Sequence, residues 1–412
     1  MPTLIVNRMR RFIPLALLCW ISACSEQPEF QKSNAETKLE TVEVFDPAAL
    51  NLGSLISYDL YAEANKLHLL FAANSAAGAA QPVYIGYSYS EDGGHHWSPA
   101  QQLEQPSVGR LESHNGNDLQ IAASGANLLA VWQKTGEIPG MGPLQAQYSL
   151  DGGKTWAAGA NPTGAETDQS HADLLADKVG RFHLVWLDDR DENGYQGLRY
   201  ARSSDTGRRW EYAQTIDESS CSCCWNRLAP GPAYQIYTLY RDMEPRDMAL
   251  VKSSDNGQTW RRLNRVGAFD WIFDGCPHNG GAFSIAGDKA HALVWTGAEQ
   301  RIGLYYLSSS NGGVSWSEPL AMGKPQAAFH SDLAHRDERL LAVWDELGEQ
   351  GSEIKAALST TGGRQWLPLN TLSAPEHKAG FPRAVATASG FFAVWTDQAP
   401  GGDKRLAALI IQ

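Results

Sequence analysis

An eight-residue pattern, S-x-D-x-G-x-x-W, recurs along the chain and constrains its fold more than any other feature. Residues 90–97 (SEDGGHHW), 149–156 (SLDGGKTW), 203–210 (SSDTGRRW) and 253–260 (SSDNGQTW) match it in full, while 309–316 (SSNGGVSW) and 359–366 (STTGGRQW) carry Asn and Thr at the Asp position. A sequence that repeats about every 50 residues folds as a stack or a ring of similar units. Inside each copy, Asp or Asn is expected to accept hydrogen bonds from the backbone two residues on. Gly supplies the positive φ of a tight turn, and Trp buries its ring beside it. The residues before each copy alternate in strand fashion, as in 198–203 (LRYARS), so each copy reads as a structural hairpin turn.

A second repeat lies between the first. Strands ending in an aromatic read at 67–71, 128–132, 182–186, 234–240, 290–295, 340–344 and 391–395, giving seven units. In units one to six a third strand leads into the eight-residue turn and a fourth strand. Unit seven stops after three, and residues 41–45 (TVEVF) stand alone before unit one. Closing the ring with them removes the open edges. The expectation is an all-β propeller of four-stranded blades, seven in number, with six as the fallback. The N-terminal strand completes the last blade. Trp132, Trp186, Trp295 and Trp344 are expected to pack between blades.

The eight-residue pattern resembles the Asp box, or BNR repeat, of sialidase-like β-propellers, from about Ile56 to the C-terminus. The resemblance is specific for fold. It implies little about activity, because Asp boxes of that superfamily lie away from the catalytic pocket.

Arg8, Arg10 and Arg11 precede an apolar run, residues 12–21, too short to span a bilayer stably and suited to an export signal. Ile21-Ser22-Ala23-Cys24 resembles a bacterial lipobox. That implies cleavage before Cys24 and lipidation of its thiol, and Ser25 implies the outer membrane, facing periplasm or surface. An ordinary signal peptide with an incidental Cys is the other reading. The domains are then 1–23 signal, 24–40 lipidated polar tether and 41–412 propeller, with the lipid as the sole membrane contact. Removing three Arg from a net charge of −12 leaves −15 (−12 − 3). Nothing in this charge suggests nucleic acid, which requires a basic face, and the excess acid keeps an exported protein soluble.

In a propeller the first strand of each blade lines the channel. Asp59, Asp118, Asp173, Asp332 and Arg383 fall 12 to 14 residues before the strand-two aromatics, with Arg227 in the matching place of unit four. They are expected to bond channel waters and neighbouring backbone. Just before them come His114-Asn115, His171, Cys221-Ser222-Cys223-Cys224-Trp225, Cys276-Pro277-His278-Asn279 and His330, all expected on one rim. Units four and five are adjacent, so Cys221, Cys223, Cys224, Cys276 and His278 should be neighbours. Of six Cys, Cys19 leaves with the signal and Cys24 takes lipid, leaving these four. Thiolates with imidazole suit copper(I) or zinc. Disulfides, such as Cys223 or Cys221 to Cys276, are an equally open reading in an oxidising compartment. His68 and His183 read as packed residues on strands. Arg241-Asp242 and Arg246-Asp247 read as ion pairs, with Arg241 or Arg246 as alternative anion ligands.

The sialidase resemblance implies an Arg triad, a Tyr nucleophile with a Glu, and an Asp acid/base. The nearest match to the family's Arg-Ile-Pro motif, Arg11-Phe12-Ile13-Pro14, lies in the signal, and residues 54–61 hold no Arg. The hydrolase candidates that remain are Arg227, Arg246, Arg383, Tyr240 and Asp173, with Glu112 nearby. The Cys-rich unit and the C-P-H turn resemble exported bacterial proteins labelled sialidase-like without the triad. Three functions stay open. The leading one is soft-metal binding, copper most of all. The others are a sialidase-type glycoside hydrolase and a disulfide-stapled scaffold for a protein partner on a blade face.

Overall fold

The structure, a computed structural model, describes residues 27–31, 37–45, 50–76, 83–103, 110–164, 169–188, 196–211, 213–275 and 277–412. Cys24 and Cys276, with the signal segment, lie outside the described residues. Seven antiparallel sheets follow one another along the chain. Blade 1 runs Leu52–Glu63, Lys66–Ser75, Val83–Ser90 and Gln101–Gln102 from axis to rim; blade 4 runs Arg227–Pro230, Ile236–Arg241, Met248–Ser253 and Arg261–Arg262. Blade 7 has Lys378–Ala386, Phe391–Gln398 and Arg405–Ile411, and Leu39–Val42 pairs antiparallel with Arg405–Ile411 as its fourth strand. The ring is therefore closed by the N-terminal strand, as expected, with the pairing centred slightly earlier than residues 41–45.

One departure lies in the segment read as a tether. Glu29–Phe30 adds a fifth, parallel strand to blade 6 beside Gln365 and Trp366. Glu29 N–H donates to Arg364 O (2.9 Å) and Gln31 N–H to Trp366 O (2.8 Å). The outer edge of blade 6 offers unpaired backbone groups, and a polar segment satisfies them without any apolar pattern.

The core is divided into seven apolar clusters, one at each junction of adjacent blades. Trp132, Trp186 and Trp344 are buried in them and Trp295 is partly buried, as their recurrence implied. The Asp boxes wedge the junctions. Their hydrogen bonding differs from the expectation in one respect: it is the Ser hydroxyl, rather than the Asp carboxylate, that takes the nearest backbone donors. Ser149 Oγ accepts from Gly153 N–H (2.9 Å) and donates to Asp151 Oδ1 (2.8 Å). Asp151 reaches four residues on, to Thr155 N–H (2.9 Å). The Thr155 hydroxyl and N–H together hold the Asp151 carboxyl down at about 2.

The box glycine then meets the preceding blade. A Cβ on Gly153 would overlap Tyr87, one on Gly257 would overlap Tyr200, and one on Gly363 would overlap Tyr306. Gly257 has φ +80°, a conformation that also disfavours a side chain. Gly257→Ala is expected to cost about 1–3 kcal/mol through overpacking. Gly125→Ala, with φ +62° and nothing within 4 Å, is expected to cost only about 1 kcal/mol of backbone strain. Urea unfolding of the two variants checks the difference; equal losses would remove the wedge.

Candidate functional site

The inner strands bring the charged residues of the channel together in two layers. The residue paired with the one before each strand-two aromatic is Asp59, Gln120, Asp173, Arg227, Gly281, Asp332 and Arg383 in blades 1 to 7. Asp118, aligned with them by residue counting, sits two residues nearer the mouth. Gln120 stands 12 residues before Trp132, the spacing that Asp59, Asp332 and Arg383 keep, whereas Asp118 stands 14 before it. Carboxylates reach across junctions to backbone donors of the next inner strand. Asp59 accepts from Ile121 N–H (2.9 Å), Asp332 from Ala384 N–H (3.0 Å), and Asp173 from Leu228 N–H. Ion pairs span further, Arg383 to Asp118 (2.8 Å) and Arg227 to Asp332 (3.1 Å). The pore-lining residues thus form a bonded network, a plug of charge across the inner strands. Tyr61 completes it at the Asp-box end by bonding Ala176 O (3.2 Å).

Four carboxylates share two guanidinium groups here. Burial pushes Asp59 and Asp118 upward against Arg383. It pushes Asp173 up to about 7 despite Arg227 and the Leu228 N–H.

The opposite end of the channel holds the rest. His171 takes a positive φ (51°), its N–H donates to Asn117 Oδ1 (2.7 Å), and its Nδ1 meets Ser170 Oγ (2.9 Å). Burial lowers His171 to about 3, with the same sign added by His114 and His278 and opposed by Cys221. The four groups therefore share one electrostatic neighbourhood, as their common rim implied. His330 bonds Asp345 (2.7 Å) and stacks on Phe381 at 4.1 Å, with Trp225 5.5 Å away. A Cβ on Gly116 would lie 3.1 Å from the Trp225 ring. The Phe381 and Trp225 contacts were not singled out from sequence. The one signal for Asp345 is a carboxylate recurring one or two residues past the strand-two Trp, at Asp188, Asp345 and Asp397.

The thiols form a separate, buried group beneath this rim. Cys221, Cys223 and Cys224 carry no disulfide, and their sulfurs all lie within 4.8 Å of one another. Cys221 Sγ is 3.6 Å from Cys223 Sγ and 3.5 Å from Cys224 Sγ, and Arg246 Nη1 donates to it at 3.0 Å. Hydrogen bonding with the Cys223 and Cys224 thiols, with the nearby Arg241 charge, holds Cys221 far below the ordinary thiol range, and hydrogen bonding with Cys221 and Cys224 raises Cys223. His278, expected as a ligand, stands outside this group and is exposed, and Cys276 falls outside the described residues.

The two Arg-Asp pairs are not ion pairs with each other. Arg241 bonds three carbonyls, Asn279 (3.1 Å), Arg246 (2.6 Å) and Trp295 (2.9 Å), and Arg246 Nε bonds Phe273 O (2.6 Å). Asp242 pairs instead with Arg262, and Asp247 with Arg265 (2.8 Å). Exposed Arg262 and half-buried Arg265 reach these carboxylates while Arg241 and Arg246 turn inward to backbone carbonyls. The hydrolase candidates are therefore dispersed. Arg227 and Arg383 are in the plug, Arg246 is at the thiols, and Tyr240 is buried with its hydroxyl on Asp217.

Seven four-stranded blades with Asp boxes define a BNR-type β-propeller. The chain belongs to the BNR repeat-like domain family, whose model matches residues 56–270. Among curated proteins, none matches it. Solved structures share the fold at low identity. One is a polysaccharide lyase PL25, an ulvan lyase (8% identity, 86% of this chain and 93% of that one, TM-score 0.60). Others are polysaccharide lyase Uly1 (12%, 85% and 88%, 0.52) and YCF48 bound to D1 peptide (14%, 95% and 100%, 0.53).

The plug generates a pH prediction. Asp173 titrates near 7 folded and about 3.9 unfolded. Its contribution to stability is thus fully present below pH about 4 and lost as pH rises through 7. Asp173→Asn, which keeps an oxygen for Leu228 N–H, should flatten the fall in melting temperature between pH 5 and 8. An unchanged pH profile would show that Asp173 ionises normally.

Proposed function

We propose that the protein is an exported, lipid-anchored propeller that binds a soft metal ion, copper(I) by preference, through Cys221, Cys223 and Cys224. The observation that carries this is the sulfur geometry, 3.5 and 3.6 Å from Cys221 to its neighbours in a buried group. Ligands about 2.3 Å from one ion and tetrahedrally arranged sit about 3.8 Å apart, so small shifts bring the thiols to bonding positions. Soft thiolates select copper(I), whereas structural zinc asks for four donors, and the group offers three. Arg246 on Cys221 offsets the negative charge of the bound state. Cys276 and His278 are the donors a zinc reading would recruit.

The anchor reading is supported by where the chain joins blade 6. Glu29–Phe30 runs parallel to Gln365–Pro368, away from the Asp boxes, and Gln27 Oε1 accepts from Glu318 N–H (3.2 Å) just past a box. Three residues span at most about 10 Å, so a lipid on Cys24 would hold the Asp-box face toward the membrane and the thiol rim away from it.

The alternative of a sialidase-type hydrolase draws on the fold shared with carbohydrate-active proteins. Against it, Arg227 and Arg383 already neutralise Asp332 and Asp118. Turnover of an aryl sialoside, lost in Arg227→Ala or Arg383→Ala, would favour that reading over ours. A protein partner would find exposed Ile272 and Phe273 beside the rim.

Expressed with its leader, the protein should partition with membranes, and Cys24→Ala should release it; a variant that stays bound removes the anchor. Reduced protein titrated with copper(I) against a competing chelator should take up one ion per chain. Cys223→Ser should weaken binding by about 100-fold. Uptake unaffected by substitution of any of the three Cys would remove the site.

A further inference from the structure

Cys221 is the hub of the thiol group. Its sulfur lies 3.6 and 3.5 Å from the other two and accepts the Arg246 guanidinium N–H at 3.0 Å, a cation contact that stabilises a thiolate, and the thiolate is the nucleophile of disulfide exchange. Cys223 and Cys224 stand almost equally near it, so the backbone decides between them. Cys223 and Cys224 are adjacent in sequence, and Cys221 and Cys223 are one residue apart; both spacings close strained rings. Cys221 and Cys224 flank the turn at 222–223. Ends of such a turn lie within about 7 Å at Cα, inside the range a disulfide spans. The sulfurs, at 3.5 Å, face each other already.

We infer that the thiol group is redox-gated: a disulfide oxidant closes Cys221 and Cys224 into a disulfide, and the closed form no longer holds a soft metal ion. The second half rests on the metal-binding reading; the first stands without it. The exchange is balanced. Cys221 sulfur attacks one sulfur of the oxidant R–S–S–R, forming Cys221–S–S–R and releasing RS⁻. Cys224 gives its proton to that thiolate and attacks Cys221 sulfur, and the second RS⁻ leaves and takes up a proton from water. Two electrons pass from the protein to the oxidant, which ends as two RSH. Arg246 is a positioning residue here, tied to Phe273 O (2.6 Å) as well as to Cys221. Closure leaves Cys223 as one thiol, too few for the site.

The mature protein is incubated with oxidised glutathione, alkylated under denaturing conditions and mapped by mass spectrometry, and copper(I) uptake is measured on the same sample. The expected result is a loss of two hydrogens in a Cys221–Cys224 linkage, an alkylated Cys223, and copper(I) uptake reduced at least tenfold and restored by dithiothreitol. Cys223→Ser should still close. Cys224→Ser should stop at the mixed disulfide of Cys221 with glutathione and form no internal linkage, and near-ultraviolet dichroism confirms that each variant is folded. A linkage to Cys276, a Cys221–Cys223 linkage, no linkage, or copper(I) held equally by the closed form would each overturn the inference. Failure of the reduced protein to take copper(I) would remove the metal reading, while the map would still decide whether the disulfide forms.

Discussion

The contact between each Asp-box glycine and a side chain of the preceding blade is what the rest of the ring depends on. Six such contacts exist, onto Phe392, Tyr87, Leu129, Tyr200, Leu250 and Tyr306 in turn. Where the partner is Tyr, a His on the same sheet takes its hydroxyl: His68 with Tyr87 at 2.8 Å, His183 with Tyr200 and His291 with Tyr306 at 2.7 Å. A buried phenol needs such a partner; Phe392, Leu129 and Leu250 do not. Imidazole thus recurs at every second junction for a packing reason alone. The junction of blades 6 and 7 has no box, and there Leu39–Val42 supplies the missing strand of blade 7.

Neighbouring inner strands diverge from the axis and do not pair with one another, so their backbone donors near the channel need acceptors from elsewhere. Asp59, Asp173 and Asp332 provide them across three junctions. A carboxylate buried for this purpose carries a desolvation cost that two Arg only partly offset. The upward shifts of Asp59, Asp118 and Asp173 are the expression of that imbalance. Burial works against the Arg383 charge too, but Asp118, Asp332 and Asp59 outweigh it. The charged groups of the inner strands are therefore taken up in structural bonds.

Much of this was legible in the sequence because it repeats. Six Asp boxes and seven strand-two aromatics gave the blade count, and the phase of each blade put the Cys and His segments on one rim. What was hidden has no period. Residue counting placed Asp118 with Asp59, but pairing puts Gln120 there. A two-residue edge strand such as Glu29–Phe30 has no alternation to read. The bond from Arg246 to Cys221 joins positions 25 residues apart, and the adjacent Asp247 invited the wrong partner.

The thiols sit where they do because blade 4 has a short inner strand. Arg227–Pro230 has 4 residues against 12 in Leu52–Glu63, and the chain between Ser220 and Arg227 forms a turn before that strand begins. That turn would be loose without Arg241 and Arg246. Arg241 O receives the Cys221 N–H (3.0 Å), while the two guanidinium groups gather carbonyls from the 271–279 segment and blade 5. Each bond to a charged donor in a buried setting is stronger than its neutral counterpart, so the turn is fixed from two sides. The same cations supply the positive potential that an anionic sulfur needs, and His171, held neutral by burial, adds none of its own. Structure and chemistry of the rim therefore share one cause: removing Arg246 would loosen the turn and raise the thiol together.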